Sequence, residues 1–158
     1  MTEAHARALL DSIRSSAPGP VSMVVVDGYG EIVAATRMDG VALDTFENAR
    51  RKAYTAARSD QTTTRALAEK VGAIPSELAS FDPQFSFFLG GVAVFENGVR
   101  IGAVGVSGLA GDVDESLAKS AFPAEFPKPA RARHTAAHAP KSALKTPVRK
   151  QNRKRRTA

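Results

Sequence analysis

The sequence predicts an α/β fold of the α+β kind: a central antiparallel sheet with helices packed on it, followed by a disordered C-terminal tail. Three observations carry this expectation. Runs rich in β-branched residues occur in pairs joined by short glycine-bearing turns, the mark of antiparallel hairpins. Segments with an apolar period of 3.6 residues lie between and around those pairs, so helices must cover the sheet. Finally, the charges are segregated. Residues 1–127 hold 11 of the 22 Lys and Arg and all 16 Asp and Glu, a net of −5. Residues 128–158 hold the other 11 Lys and Arg and no acid, a net of +11.

The first helix is expected over residues 3–15, capped by Thr2, with Ala4, Ala8, Leu9, Ser12 and Ile13 on one face. Pro18-Gly19-Pro20 ends it. Val21 to Val26 reads as a buried strand, Asp27-Gly28-Tyr29-Gly30 as a turn, and Glu31 to Arg37 as the return strand. Asp44 to Ser59 carries the best helical pattern. Phe46, Ala49, Ala53, Ala56 and Ala57 form its apolar stripe, small enough for close approach to a sheet. Asn48, Lys52, Thr55 and Ser59 form a second, polar stripe. It is distinct from the solvent arc of Glu47, Arg50, Arg51, Tyr54 and Arg58, and so is expected to border a pocket. Thr62-Thr63-Thr64 caps a short helix through Val71, and Pro75 begins a further helical turn. Phe85 to Leu89 and Gly91 to Phe95 read as strand, Asn97-Gly98 as a tight hairpin turn, and Val99 to Ser107 as its return. Gly108 to Gly111 is a loop, and Asp112 to Ala121 a closing helix with acids in its first turn. The expected order is α-β-β-α-α-β-β-β-α.

The domain boundary falls at 125/126. Residues 1–125 are long enough for one core. Residues 126–158 form a basic tail rich in Lys, Arg, Ala and Pro. From residue 128 onward the only larger apolar side chains are Leu144 and Val148, too little buried surface to offset the entropy of ordering. The absence of Cys excludes disulfides, thiolate metal sites and a Cys nucleophile. The apolar runs fall far short of the ~20 residues of a membrane-spanning helix. The segment Met1 to Arg7 lacks a basic stretch followed by an apolar one, so no secretory signal and a cytoplasmic location are expected. His5 is the only histidine of the body, so neither a Ser-His-Asp triad nor a His-rich metal site is available, and no metal site is expected. His134 and His138 lie four apart in the tail without an acidic third ligand.

Gly28-Tyr29-Gly30 lacks the third glycine of a dinucleotide fingerprint and leads into a strand, so it is a turn. Gly102, Gly105, Gly108 and Gly111 recur every three residues where a strand gives way to a loop and a helix. No Gly-Lys-Ser/Thr follows, which excludes a P-loop. Free amides around Ser107 and Gly108 suit a carboxylate or phosphate; close packing and turn geometry is the alternative use. Arg37 ends a strand and can pair with a carboxylate, although Asp39-Gly40 beside it also reads as a plain turn. Arg37, Lys52, Thr55, Ser107 and Gly108 are therefore expected to converge on one anionic ligand. Lys52 is taken as an unpaired pocket cation, so Lys52→Met is expected to weaken binding at little cost in stability. No general base stands out, and no catalytic residue is assigned. Asp44 with Glu47, and Asp112 with Glu115, pair carboxylates at i, i+3 at helix starts, where acids are favoured in any case.

Several ordered segments together carry a family likeness: Val24-Val-Val-Asp-Gly-Tyr-Gly-Glu-Ile-Val33, Arg37-Met-Asp-Gly40, Ala49-Arg-Arg-Lys-Ala-Tyr-Thr-Ala56, Gly90-Gly-Val92, Asn97-Gly-Val-Arg-Ile-Gly-Ala-Val-Gly-Val-Ser-Gly108 and Asp114-Glu115. Over roughly residues 3–122 the body resembles the GlcG/HbpS-like haem-degrading (haem-binding) domain family, also found as the C-terminal domain of PduO-type cobalamin adenosyltransferases. The resemblance implies a profilin-like fold and self-association as a dimer or octamer. It also implies haem as cofactor or ligand, with a role in haem or iron handling. Some members carry acidic D/E-x-x-E iron sites, and only Asp44–Glu47 and Asp112–Glu115 fit that spacing here. The family's frequent Pro after Gly-Gly-Val is Ala93 in this chain. His5, Met38, Tyr54 and Thr55 are chemically able to be axial ligands, and none is singled out.

Three functions compete. In the first, the body binds haem or a small anion: Phe85, Phe87, Phe88 and Phe95 are able to line a slot, although core packing is their expected use, and Arg37 and Lys52 are able to meet the propionates. In the second, it is a lyase or isomerase of hydroxy-acid or diol metabolism, with Lys52 as acid/base or carboxylate clamp. In the third, the tail anchors the protein non-specifically to a polyanion such as nucleic acid.

Overall fold

In a computed structural model that describes residues 1–122, the chain runs α1 (Glu3–Ser16), β1 (Ser22–Asp27), β2 (Ile32–Arg37), α2 (Thr45–Arg58), α3 (Thr64–Ala73), a 3-10 turn (Pro75–Ser80), β3 (Gly91–Glu96), β4 (Val99–Ser107) and α4 (Gly111–Ser120). The expectations for the tail, namely its disorder, its polyanion binding and the His134/His138 pair, lie outside the described residues.

Thr2 caps α1 as expected, its hydroxyl accepting from the His5 amide at 3.2 Å. The buried face of α1 is Ala6, Leu9, Leu10 and Ile13, not the Ala4–Ala8–Ser12 line expected from sequence. Leu10 decides this: a stripe centred on Leu9 and Leu10 buries more apolar area than one centred on alanines. Thr63 caps α3 by accepting from the Ala66 amide at 3.1 Å. At the β3–β4 turn, Asn97 and Gly98 take φ of 50° and 77°, the left-handed geometry a two-residue hairpin requires.

The four strands form one antiparallel sheet in the order β2-β1-β4-β3. Side chains alternate across it. Val21, Met23, Val25, Val104 and Val106 meet α1 and α4 on one face, while Val24, Val26 and Ala103 meet the alanine stripe of α2 on the other. The result is three layers, with α2 as the main helix on its face of the sheet and the start of α3 beside it against β3. One expected strand is missing. Phe85 to Leu89 is irregular, because its paired amides go to side-chain hydroxyls and to a local carbonyl, the Phe85 amide donating to Asp82 O at 2.9 Å, and not to a neighbouring strand. The Ser86 amide donates to Thr55 Oγ1 at 2.8 Å, the Phe88 amide to Ser86 Oγ at 3.3 Å, and the Gly91 amide to Thr64 Oγ1 at 3.0 Å. Among the described residues no helix is long and apolar enough to cross a membrane.

Candidate functional site

The irregular 85–89 segment lies beside the polar stripe of α2, and the space between them is the site. A cleft of about 590 Å³ is walled by Asp44, Glu47, Asn48 and Arg51 of the α2 region and by Phe85, Ser86, Phe87 and Phe88. A second hollow of about 300 Å³ shares Asn48, Phe87 and Phe88 with it and continues to Lys52, Leu89, Ser107, Leu109, Gly111 and Asp114. The two hollows differ in character, one aromatic and one polar.

Phe85, Phe87, Phe88 and Phe95 belong to neither core cluster, which corrects the expectation of core packing. Phe88 is 68 % exposed. Phe85, Phe81, Phe87 and Tyr54 support one another through tilted and edge-on ring contacts at 6.0–6.2 Å. The Tyr54 hydroxyl donates to Asp82 Oδ2 at 2.8 Å, which holds the phenol's pKa above its usual value, while the Gln84 amide and that phenol hold the Asp82 carboxyl below its own. Phe95 is instead covered by the Arg100 guanidinium, 5.4 Å from the ring centre.

Lys52 projects from the middle of α2 and is only 2 % exposed. Its Nζ donates to Val106 O at 2.8 Å and to Asp114 Oδ2 at 2.9 Å. Asp114, 1 % exposed, accepts the Leu109 amide on its other oxygen at 3.1 Å. The pair thus ties α2, on one face of the sheet, to α4, on the other, around the end of β4. Burial pushes the Lys52 ammonium's pKa down, and the hydrogen bond and charge of Asp114 oppose that. The expectation of an unpaired pocket cation is therefore corrected: Lys52 has a buried carboxylate partner.

Of the five residues expected to converge, the structure brings Lys52 and Ser107 together at the polar hollow. Arg37, Thr55 and Gly108 do not line it. Arg37 is exposed at the end of edge strand β2, in register with Ser22 and, through it, with Ser107 two strands away. Gly108, with φ of 147°, packs against Pro20 and Val21. Thr55 is buried behind the aromatic wall, donating to Arg51 O at 2.7 Å and accepting from Ser86. Its hydroxyl pins the segment that forms the cleft. Thr55→Val is expected to strand the buried Ser86 amide at a cost of about 1–3 kcal/mol. Urea unfolding and amide exchange check this; an unchanged exchange rate at Ser86 would show that Thr55 does not hold the wall.

Of the four carboxylates at iron-site spacing, Glu47, Asp112 and Glu115 are engaged by arginines, and Asp44 accepts from Asn48 Nδ2 at 3.0 Å. Glu47 binds both Arg50 and Arg51, which lower its pKa to about 2. Arg65 pairs with Asp112 and with buried Glu115, and Lys119 also reaches Glu115. Asn48 lines both hollows, as its place on the polar stripe leads one to expect, whereas sequence reasoning missed Asp114 and the wall role of Ser86. Asp114 carried a signal, since it was part of the family-like Asp114-Glu115 segment, but an acid in a helix's first turn had a sufficient local explanation.

The model of the haem degrading HbpS-like proteins matches residues 1–122. Among solved structures, a double mutant of Streptomyces reticuli HbpS is 30 % identical, with a TM-score of 0.70, covering 77 % of this chain and 84 % of that one. The Klebsiella pneumoniae protein ORFY is 29 % identical, with a TM-score of 0.71, covering 77 % and 87 %. A PduOC:heme complex is 27 % identical, with a TM-score of 0.63, covering 75 % and 88 %. No curated protein matches the chain.

Proposed function

Since the chain belongs to the family of haem degrading HbpS-like proteins, we propose that it binds haem, with the aromatic cleft beside α2 as the binding slot. The observation that carries this is the placement of Phe85, Phe87 and Phe88. They sit outside the core, around a cleft of about 590 Å³, within the range of small-molecule and cofactor sites. Apolar rings kept on the surface expose area that burial against a flat apolar ligand would remove from water.

The residues present fit a porphyrin's faces better than its iron. The three phenylalanines offer apolar walls, and Arg51 at the rim offers charge for propionates. The nearby donors are oxygens, from Asp44, Glu47, Asn48 and Ser86, whereas the usual axial ligands are His, Cys, Met or Tyr. None of the four sequence candidates lines either hollow. His5 is on α1 across the sheet, Met38 packs against the opposite core, and the hydroxyls of Tyr54 and Thr55 are committed elsewhere. When bound, haem would supply a redox-active iron. The chain's own part is to desolvate one porphyrin face and orient its edge. That supports binding or handling of haem over a catalytic assignment.

Titration with haemin is expected to give a saturable Soret band with the wild-type chain. Phe88→Glu, at an exposed position outside the core, should weaken binding at least tenfold with the melting temperature unchanged. No saturable Soret change with the wild type, or full binding by Phe88→Glu, would overturn the reading.

A further inference from the structure

The polar hollow next to the aromatic cleft has two unused hydrogen-bond donors. Ser107 ends β4 and is 6 % exposed, yet among the described residues its side chain makes no hydrogen bond. The residue is more than nine-tenths buried, but its hydroxyl is not sealed from solvent, and Ser107 borders the hollow, so that Oγ–H is free to meet a ligand there. Lys52 has three N–H donors and gives two of them to Val106 O and Asp114 Oδ2, which leaves one. Both residues line the same hollow of about 300 Å³, and its other walls at this end include the apolar Leu89 and Leu109.

We infer that this hollow is a carboxylate anchor: Ser107 Oγ–H and the third N–H of Lys52 hold one carboxylate group of an amphipathic ligand whose apolar body lies on Phe87 and Phe88. The two phenylalanines belong to both hollows, so a ligand seated on them reaches the polar end without a gap. Asp114 has a defined part. Its charge and hydrogen bond favour the protonated ammonium against the opposing effect of burial, and its other oxygen accepts from the Leu109 amide. The anchor then acts mainly through hydrogen bonds from a neutralised pair. It should therefore be selective for carboxylates of modest size and should not attract polyanions. The class of ligand rests partly on the cleft reading above, whereas the anchor itself rests only on Ser107 and Lys52.

The test uses a probe independent of haem. The full chain is titrated with 3-phenylpropionate and with its neutral amide, 3-phenylpropanamide, and amide shifts are followed by NMR. The carboxylate is expected to perturb Ser107, Leu109 and Gly111 saturably and to bind at least fivefold more tightly than the amide. Ser107→Ala removes a hydroxyl with no partner in the fold, so stability should hold while the carboxylate's affinity falls to that of the amide. Ser107→Thr, which keeps the hydroxyl, should retain at least part of the preference. Equal binding of the two probes, shifts mapping elsewhere, no binding at all, or a preference that survives in Ser107→Ala would each overturn the anchor. Haemin is titrated in parallel. A Soret band without the carboxylate preference leaves the aromatic cleft standing and removes the anchor; the preference without a Soret band does the reverse.

Discussion

Lys52→Met is expected to destabilise the protein by about 3–5 kcal/mol, because removing one member of a buried ion pair leaves the other charged and unpaired in a poorly solvated place. Both side chains are at most 3 % exposed, so water can reach Asp114 only through the polar hollow it lines and compensates the lost partner poorly. Domains of this kind are stable by only about 5–15 kcal/mol, and the single change would use up a large part of that. The reading of Lys52 as a free cation expected the opposite. A double variant, Lys52→Met with Asp114→Leu, separates charge from packing. Replacing both members of a buried pair with apolar groups is often neutral, but here the Leu109 amide loses its acceptor. The double variant should therefore recover most of the loss and fall short by the roughly 1–3 kcal/mol of one unpaired buried donor. Urea unfolding midpoints give all three values. A cost below about 1 kcal/mol for Lys52→Met would mean that the pair behaves like a surface one.

The legible parts of the chain were those set by local periodicity. The alanine and polar stripes of α2 follow from angular spacing alone, and they foretold both the helix seated on the sheet and the pocket along its flank. The family likeness and the antiparallel sheet were also legible. What could not be read depends on distant partners. Phe85 to Leu89 looks like a strand, because alternating aromatic residues usually pack on a pleated surface. Its Ser86 amide is instead taken by the hydroxyl of Thr55, 31 residues away, and the Gly91 amide just beyond it by that of Thr64, 27 residues away. Lys52 and Asp114 are 62 residues apart, and each has an adequate local account of its own, so nothing in the sequence joined them. Arg37 illustrates the same limit in reverse. Its strand position was read correctly, but the sheet order places it at an outer edge, beyond the lining of the hollow.

Gly105→Ala is expected to cost about 3 kcal/mol or more, at the upper end of what overpacking a well-filled interior does. The glycine repeat of β4 allowed two uses, ligand contact or close approach, and at this position the geometry selects close approach. A Cβ on Gly105 would lie 2.0 Å from Ala49 O and 2.6 Å from Ala53 N, both backbone atoms of α2. Its cross-strand partner Gly91 is in the same situation, since a Cβ there would lie 2.3 Å from Lys52 O. The two glycines form the floor on which α2 rests, and the stripe of Ala49, Ala53 and Ala56 is the matching underside. No side chain can rotate away to relieve such a contact, so the whole helix must lift. Lifting it would open gaps beneath the alanines and draw Lys52 from Val106 O, adding lost packing to the direct clash. Gly72→Ala is the control. Gly72 lies in α3 with open space around its Cβ position, and there alanine should stabilise by about 0.5 kcal/mol through helix propensity. Paired urea unfolding curves measure both. If Gly105→Ala stays within about 1 kcal/mol of wild type, α2 is not held against the sheet at this distance. Lifting α2 also moves Asn48 and Arg51 away from Phe87 and Phe88, so a properly seated helix further predicts that Gly105→Ala loses haemin binding along with stability.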